Sequence, residues 1–208
     1  MKYQWIRDLY NVYFYGGMIF KNLNDCNTIL EVGCGKESII LRTGLNKTKI
    51  ITAIDIYEPY IKAHRLLKDY TICECVDITE AKFTHKQFDA VICMDVLEHI
   101  DRQKVIDSNL LEKLKDWGDK VFITTPNGYI ENDESDGNKY QAHRSGWNIQ
   151  DFNGYRVRGL SGLKCLRTKG GNLKYSPFLF WGVISLFSQI LVWKFPKYAF
   201  HLLAIYEE

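Results

Sequence analysis

Short apolar runs alternate with stretches of helical spacing along most of this chain. Ile29–Val32, Ile50–Ile54, Ile72–Val76, Phe88–Asp95 and Val121–Thr125 each read as a short strand bounded by polar or turn-forming residues. Between them, Lys36–Thr43, Glu58–Lys68 and Ile100–Lys115 carry helical spacing, with Pro59 suited to a first turn. In the last of these, Val105, Ile106, Leu110, Leu111 and Leu114 recur at helical intervals up to a stop near Gly118. Strand and helix in alternation predict an α/β protein, a parallel sheet wrapped on both sides. Tyr155–Leu160 and Phe200–Tyr206 supply a sixth and a last strand, and the acidic stretch Glu131–Gly137 reads as a loop. The chain contains no internal repeat.

The strands deliver polar groups at their carboxyl ends: Glu31, Asp55, Asp77, Asp95, then Thr125 and Asn127. In an open parallel sheet those ends share one edge, and ligands bind in the crevice there. The first strand runs into Gly33-Cys34-Gly35-Lys36-Glu37-Ser38, a glycine turn that opens a helix. Such a turn lets backbone approach a ligand closely, with helix N–H groups facing it. Asp55 follows Gly35 by about 20 residues, where an acid accepts hydrogen bonds from ribose hydroxyls. The pattern predicts an adenosine-type cofactor. Read literally, Gly33-x-Gly35-x-x-Ser38 is also a frayed nicotinamide-dinucleotide fingerprint with serine in third place.

The whole ladder resembles the class I S-adenosylmethionine-dependent methyltransferases, specifically their small-molecule, type 11-like branch. The glycine motif, Asp55, Asp77, Phe88–Ile100 with its Leu97-Glu98-His99-Ile100, and Thr125-Pro126-Asn127 fall in order over residues 28 to 130. The resemblance implies a Rossmann-like, doubly wound seven-stranded sheet, mostly parallel with an antiparallel last strand. It implies S-adenosyl-L-methionine as cofactor and S-adenosyl-L-homocysteine as product. It also implies roles by position. Gly33, Cys34 and Gly35 would let the backbone pass the methionine moiety, and Glu31 would reach its ammonium. Asp55 would hold the ribose diol, with Ile56 against the adenine face. Asp77 would accept from the adenine amino group while the Ile78 backbone reads the ring edge, and Met94 and Asp95 would flank the methyl end. The sequence departs from the family where its third glycine is replaced by Glu37 or Ser38.

Composition narrows this picture without redirecting it. A chain of 208 residues with 46% hydrophobic and 25% charged positions is enough for one domain with a real core. That domain divides into an N-terminal aromatic cap at 1–25, a cofactor-binding core at 26–130 and a substrate-side region at 131–208. A net charge of +2 excludes a strong whole-molecule preference for polyanions. The six cysteines contain no C-x-x-C pair and read as small core residues in a reducing compartment, with no metal site expected. Nothing at the N-terminus has the regions of a secretory signal, so a cytoplasmic protein is expected.

The two ends carry the acceptor question. Tyr3, Trp5, Tyr10, Tyr13, Phe14, Tyr15 and Phe20 could close over the cofactor pocket or pack on the sheet. Residues 138–175 hold Lys139, Arg144, Arg156, Arg158, Lys164, Arg167, Lys169 and Lys174 against one acid, Asp151. That stretch is either a solvated face or a surface for an anionic partner, with nucleic acid disfavoured for want of interleaved aromatics. Residues 177–193 form a Trp-bearing apolar run interrupted by Ser185, Ser188 and Gln189, too short to span a bilayer. With Lys194 and Lys197 beside it, the run is either a peripheral membrane contact or a helix covering the substrate mouth or a dimer seam. Both readings point to a hydrophobic or amphiphilic small-molecule acceptor, lipid-linked and anionic forms included.

In-line methyl transfer needs mainly alignment of a nucleophile, and an alcohol acceptor gains from a general base. His99, after a strand end, and His143, in the loop after the fifth strand, are the candidates; His64, His85 and His201 have no constellation around them. Two other functions remain compatible with the residues: a nicotinamide-dependent oxidoreductase, and a membrane-associated binding protein that keeps the fold without the activity.

Overall fold

The computed structural model describes residues 17–36, 38–134, 137–168 and 170–208. Tyr3, Trp5, Tyr10, Tyr13, Phe14 and Tyr15 of the expected cap, together with Glu37 and Lys169, lie outside the described residues.

Seven strands form one sheet: β1 (Thr28–Val32), β2 (Ile50–Asp55), β3 (Ile72–Cys75), β4 (Phe88–Met94), β5 (Gly118–Pro126), β6 (Arg156–Leu163) and β7 (Ala199–Glu207). Their order is β3-β2-β1-β4-β5-β7-β6. The pairings β3–β2, β2–β1, β1–β4 and β4–β5 are parallel, while β7 runs antiparallel to both β5 and β6. The Rossmann-like sheet with one reversed strand is the architecture that the resemblance implies.

The central strands are apolar without alternation because both faces are covered. Successive residues point to opposite faces. Leu30, Val32, Val91, Cys93, Val121 and Ile123 therefore enter one core with Leu110, Leu114 and Trp117. Ile29, Ile51, Ala90, Ile92 and Phe122 enter another with Ile19, Leu23 and Ile40. Helix α1 (Gly17–Leu23) supplies Ile19 and Leu23 to that second core.

Helix α2 (Ile39–Thr43) is shorter than the expected Lys36–Thr43. Ser38 stops it: its hydroxyl accepts from Ile40 N at 3.0 Å and Leu41 N at 3.3 Å, taking the N-cap position. Helix α3 (Glu58–Leu67) starts with Pro59 in its first turn, as read from sequence. The single helix expected over Ile100–Lys115 is two, α4 (Arg102–Asp107) and α5 (Leu110–Trp117). Asn109 breaks it, adopting the left-handed conformation (φ 52°) that Asn tolerates better than most residues.

The cysteines are all free thiols. Cys26, Cys34 and Cys93 are core residues as expected, Cys73 is half-buried, and Cys75 and Cys165 are exposed; Cys75 sits on edge strand β3, which is covered less than the centre. No helix among the described residues is long and apolar enough to cross a membrane.

Candidate active site

The sheet's carboxyl edge opens into a cavity of about 350 Å³. Gly33, Gly35, Asp55, Ile56, Asp77, Ile78, Asp95 and His99 line it, eight positions singled out from sequence. Glu31, Cys34, Met94 and His143 are not among the lining residues.

The turn after β1 is held by main-chain bonds from Gly33 N (2.7 Å) and Cys34 N (3.3 Å) to Ile54 O. Gly33 has φ +69°, and a Cβ there would stand 2.4 Å from Val96 Cγ2. No other residue fits that position. At the tip of β2, Asp55 accepts from Gly35 N through Oδ2 (2.9 Å) and from Tyr57 N through Oδ1 (2.8 Å). Burial raises its carboxyl above the ordinary range, while the two backbone N–H groups oppose the rise. The glycine turn and the acid are thus one construction.

Behind it stands His64, for which the sequence offered no constellation. The ring is buried and bridges Asp69 Oδ2 (Nδ1, 2.9 Å) to Gly35 O (Nε2, 2.8 Å), propping the turn from below. A lone histidine in the middle of a helix carries no sequence signal of this contact. His85 likewise meets Asp116 at 2.6 Å, and His201 meets Ser161 Oγ at 3.0 Å. Glu31 lies under the same turn, with Oε1 accepting from Ser38 Oγ (2.6 Å) and Oε2 from Tyr70 OH (2.8 Å). Complete burial pushes its carboxyl up to about 7. Cys34 is buried, and burial raises its thiol as well. Met94 is half-buried against the core on the α1 side of the sheet.

On the other wall, Asp77 Oδ1 accepts from Thr79 N (3.0 Å) and Thr79 Oγ1 (2.7 Å), and Oδ2 takes Lys104 Nζ at 2.6 Å. Partial burial works against ionisation of Asp77, and the Lys104 and Thr79 hydrogen bonds outweigh it, so the carboxyl sits below its usual range. Lys104, Tyr140, Gln141 and Arg144 also line the cavity. Sequence reasoning missed the first three as site residues, since they come from a helix face and a loop with no motif. Arg144 was visible only as one of a basic series.

The fourth strand ends at Met94, and Asp95 follows it in the left-handed region at φ 53°. Thr124 holds it there: Asp95 N donates to Thr124 O (3.0 Å), and Thr124 Oγ1 donates to Asp95 Oδ1 (2.9 Å). A 3₁₀ turn, Leu97–His99, follows. Its carbonyls accept the loop that bears His143: Arg144 N and Ser145 N reach Glu98 O at 2.7 and 3.0 Å, and Ser145 Oγ reaches Leu97 O at 2.9 Å. The His99 and His143 rings are thereby brought edge to face, with centroids 4.8 Å apart. Burial pushes the His99 imidazole down, the Ala142 carbonyl opposing and His143 assisting. Glu98 is buried, which raises its carboxyl well above the usual range, and the Asp95 carboxylate raises it further. The Thr125 hydroxyl opposes this, although neither it nor Glu98 Oε2 makes a hydrogen bond of normal geometry.

The apolar run forms helix α6 (Phe178–Lys194), but no residue of it lines the cavity. It docks on edge strand β6 instead of covering the cavity. Its cationic surroundings are largely engaged. Arg156 pairs with Glu207 at 3.2 Å, and Arg144 with Asp101 at 3.6 Å. Lys164 donates to Asn127 O, and Arg167 to the carbonyls of Ser161 and Gly171.

A glycine turn, an acid at the tip of the next strand and a polar crevice at the switch in strand order define a Rossmann-like nucleotide-cofactor protein. The comparisons narrow the class. A family profile described as a methyltransferase domain matches residues 30–118. A ubiquinone biosynthesis O-methyltransferase of Idiomarina loihiensis is 30% identical over 111 residues, which are 50% of this chain and 44% of that protein. The chain therefore spans less than half the length of the curated relative it matches. Among solved structures, an S-adenosylmethionine-dependent methyltransferase from Archaeoglobus fulgidus superposes with TM-score 0.54 at 15% identity, covering 97% of this chain and 99% of that one. The plantazolicin methyltransferase BpumL, in complex with S-adenosylhomocysteine, gives TM-score 0.52 at 19% identity over 93% and 80%. The chain thus carries the Rossmann-like methyltransferase fold, and its residues 30–118 are similar to a methyltransferase domain.

Proposed function

We propose that this protein transfers a methyl group from S-adenosylmethionine to a small hydrophobic or amphiphilic acceptor, by in-line displacement within the cavity at the carboxyl edge. One observation carries the cofactor assignment: the Asp55 carboxylate pinned beside the bare backbone of the glycine turn. The residues fit the group. Gly33 leaves a path that a Cβ would close, Asp55 offers acceptor oxygens to a ribose diol, and Ile56 presents an exposed apolar face beside it. Asp77 and the Ile78 backbone stand where an adenine edge would be read. Glu31, beneath the turn, acts on the cofactor's ammonium from behind. Asp95 lies at the methyl end, with Met94 on the far face as its packing support. When bound, S-adenosylmethionine supplies a methyl group on a sulfonium that needs no further activation.

The chain's task is then alignment, which is worth roughly 7–11 kcal/mol of a bimolecular barrier when reactants are held in near-attack geometry. His99 on the wall, with His143 behind it, is the group placed to act on the acceptor's nucleophile. Proton removal at such a position contributes about 10²–10⁴-fold.

Calorimetric titration with S-adenosylhomocysteine, alongside NAD, tests the assignment. Homocysteine-product binding and no NAD binding are expected. Asp55→Ala removes an ionised hydrogen-bond acceptor worth about 1.5–3 kcal/mol per bond, so affinity falls by roughly 10–100-fold or more. Asp55→Asn retains one acceptor and loses less. NAD binding would favour the oxidoreductase, and a folded protein that binds neither would favour a scaffold without activity.

The acceptor class rests on α6, which is turned inside out. Ser185, Ser188 and Gln189 are buried, whereas Phe178, Leu179, Phe180, Phe187 and Ile190 are exposed. An apolar face flanked by Lys174, Lys194 and Lys197 suits peripheral contact with an anionic bilayer, from which an amphiphilic acceptor would be drawn.

A further inference from the structure

We infer that Glu98, His99 and His143 form a binding site for a first-row divalent transition cation behind the cavity wall at His99, the one of the three that lines the cavity. Their donor atoms lie within 4.8 Å of one another. Ligands sharing an ion at 2.0–2.2 Å stand at most about 4.3 Å apart, so small side-chain rotations close the site.

Three independent features prepare it. The Glu98 side chain is 3% exposed, and its Oε2 has no hydrogen-bond partner. A buried carboxyl oxygen left unmade costs free energy in either protonation state, and a cation relieves that cost. Both imidazoles present the same tautomer for a structural reason. His99 Nδ1 faces Ala142 O at 3.2 Å, and His143 Nδ1 faces Ile130 O at 2.7 Å. A carbonyl can only accept, so each Nδ1 carries the hydrogen and each Nε2 keeps its lone pair. Imidazole ligands held through the opposite N–H by a backbone carbonyl are the usual outer-shell arrangement of metal sites. Finally, the spacing is set by main chain. Glu98 and His99 are adjacent in the 3₁₀ turn, and the bonds from Arg144 N and Ser145 N to Glu98 O hold the His143 loop against it. Asp95 stands within electrostatic reach of both Glu98 and His99.

Two imidazoles and one carboxylate select Mn, Fe, Co or Zn over Mg or Ca, and three protein ligands leave positions open. The site's role rests on the methyl-transfer reading. An acceptor hydroxyl held at an open position would lose its proton to solvent at a lower pH than the free alcohol. Its oxygen would form the bond to the methyl carbon as the carbon–sulfur bond breaks, the electron pair remaining on sulfur as the thioether of S-adenosylhomocysteine. With the ion bound, His99 and His143 act on the acceptor as its ligands, and the ion takes over the activation that His99 alone would supply as a base.

The full chain, stripped with a chelator, would be titrated with Co²⁺ by visible absorption and with Mn²⁺ by electron paramagnetic resonance. One equivalent of bound ion is expected, with affinity falling at least about 10–100-fold in Glu98→Gln and in His143→Asn. S-adenosylhomocysteine binding by each protein reports folding and tests the cofactor reading separately. No ion binding by a protein that still takes S-adenosylhomocysteine overturns the site, as does ion binding that both substitutions leave unchanged. Ion binding without cofactor binding would keep the site and sink the methyl-transfer reading. Should Glu98→Gln fail to fold, His143→Asn decides alone.

Discussion

Glu31 shows how much one side chain's surroundings settle. Its carboxyl is completely buried, and two hydroxyl donors do not make up for the lost hydration, so the group titrates near 7. The native state therefore holds a proton that the unfolded chain, with an ordinary value of 4.5, gives up. Stability from this group is fully present below about pH 4.5 and is lost as pH rises through about 7. Wild type should lose up to roughly 3 kcal/mol relative to Glu31→Gln between pH 5 and 8, read from denaturant midpoints. Gln keeps one acceptor oxygen for one of these hydroxyls and turns its NH2 to the other, and it does not titrate, so parallel pH profiles for the two proteins would count against the buried-acid account. Gly33 is the other residue-scale test. Gly33→Ala places a methyl against Val96 and forces a left-handed alanine, at a cost of about 1–3 kcal/mol. Adding Val96→Ala should recover only the steric part of that loss in melting temperature.

At the scale of elements, α6 and β6 explain each other. An edge strand leaves backbone groups unpaired, and this protein covers them with a helix. Gln189 Oε1 accepts from Gly162 N (3.2 Å), Gln189 Nε2 donates to Gly159 O (2.9 Å), and Ser188 Oγ accepts from Leu163 N (3.1 Å). The close approach needs Gly159, where a Cβ would meet Val192 O at 2.3 Å. Gln189→Leu strands two buried backbone groups, and about 2 kcal/mol or more of stability should go with them. Hydrogen exchange at the Gly162 amide should accelerate in step; unchanged exchange would mean that the helix is not the strand's partner.

Over the whole molecule, the cofactor crevice and the apolar helix lie on different parts of the sheet, the first over β1–β4 and the second on the β6 edge. The two surfaces can thus be altered separately. Leu179, Phe187 and Ile190 are 76%, 67% and 68% exposed, so changing all three to Glu should leave melting and S-adenosylhomocysteine affinity intact. Flotation with vesicles of phosphatidylcholine and phosphatidylglycerol should show binding by wild type, weakened by salt and absent in the triple variant. Vesicle-independent dimerisation abolished by the same changes would assign the face to a second copy of the chain.

The strands, the glycine turn and the acids at strand ends are legible in sequence because each depends on local spacing: strand from continuous apolar runs, turn from glycine, ligand acid from its distance along the chain. Asp55, Asp77, Asp95 and His99 could be expected at the sheet's carboxyl edge for that reason, and all four line the cavity there. The helix break at Asn109 and the start of α2 at Ser38 depend on individual backbone and capping geometry that periodicity does not carry. Contacts between distant segments belong to the tertiary structure alone. Lys104 reaches Asp77, His64 props Gly35, and the loop at 142–145 brings His143 to Glu98, because main-chain bonds across the sheet edge decide which loops meet. The orientation of α6 is of the same kind. Its sequence is apolar nearly all round, and only the unpaired backbone of β6 makes the serines and glutamine face inward and leaves the aromatic side to the outside.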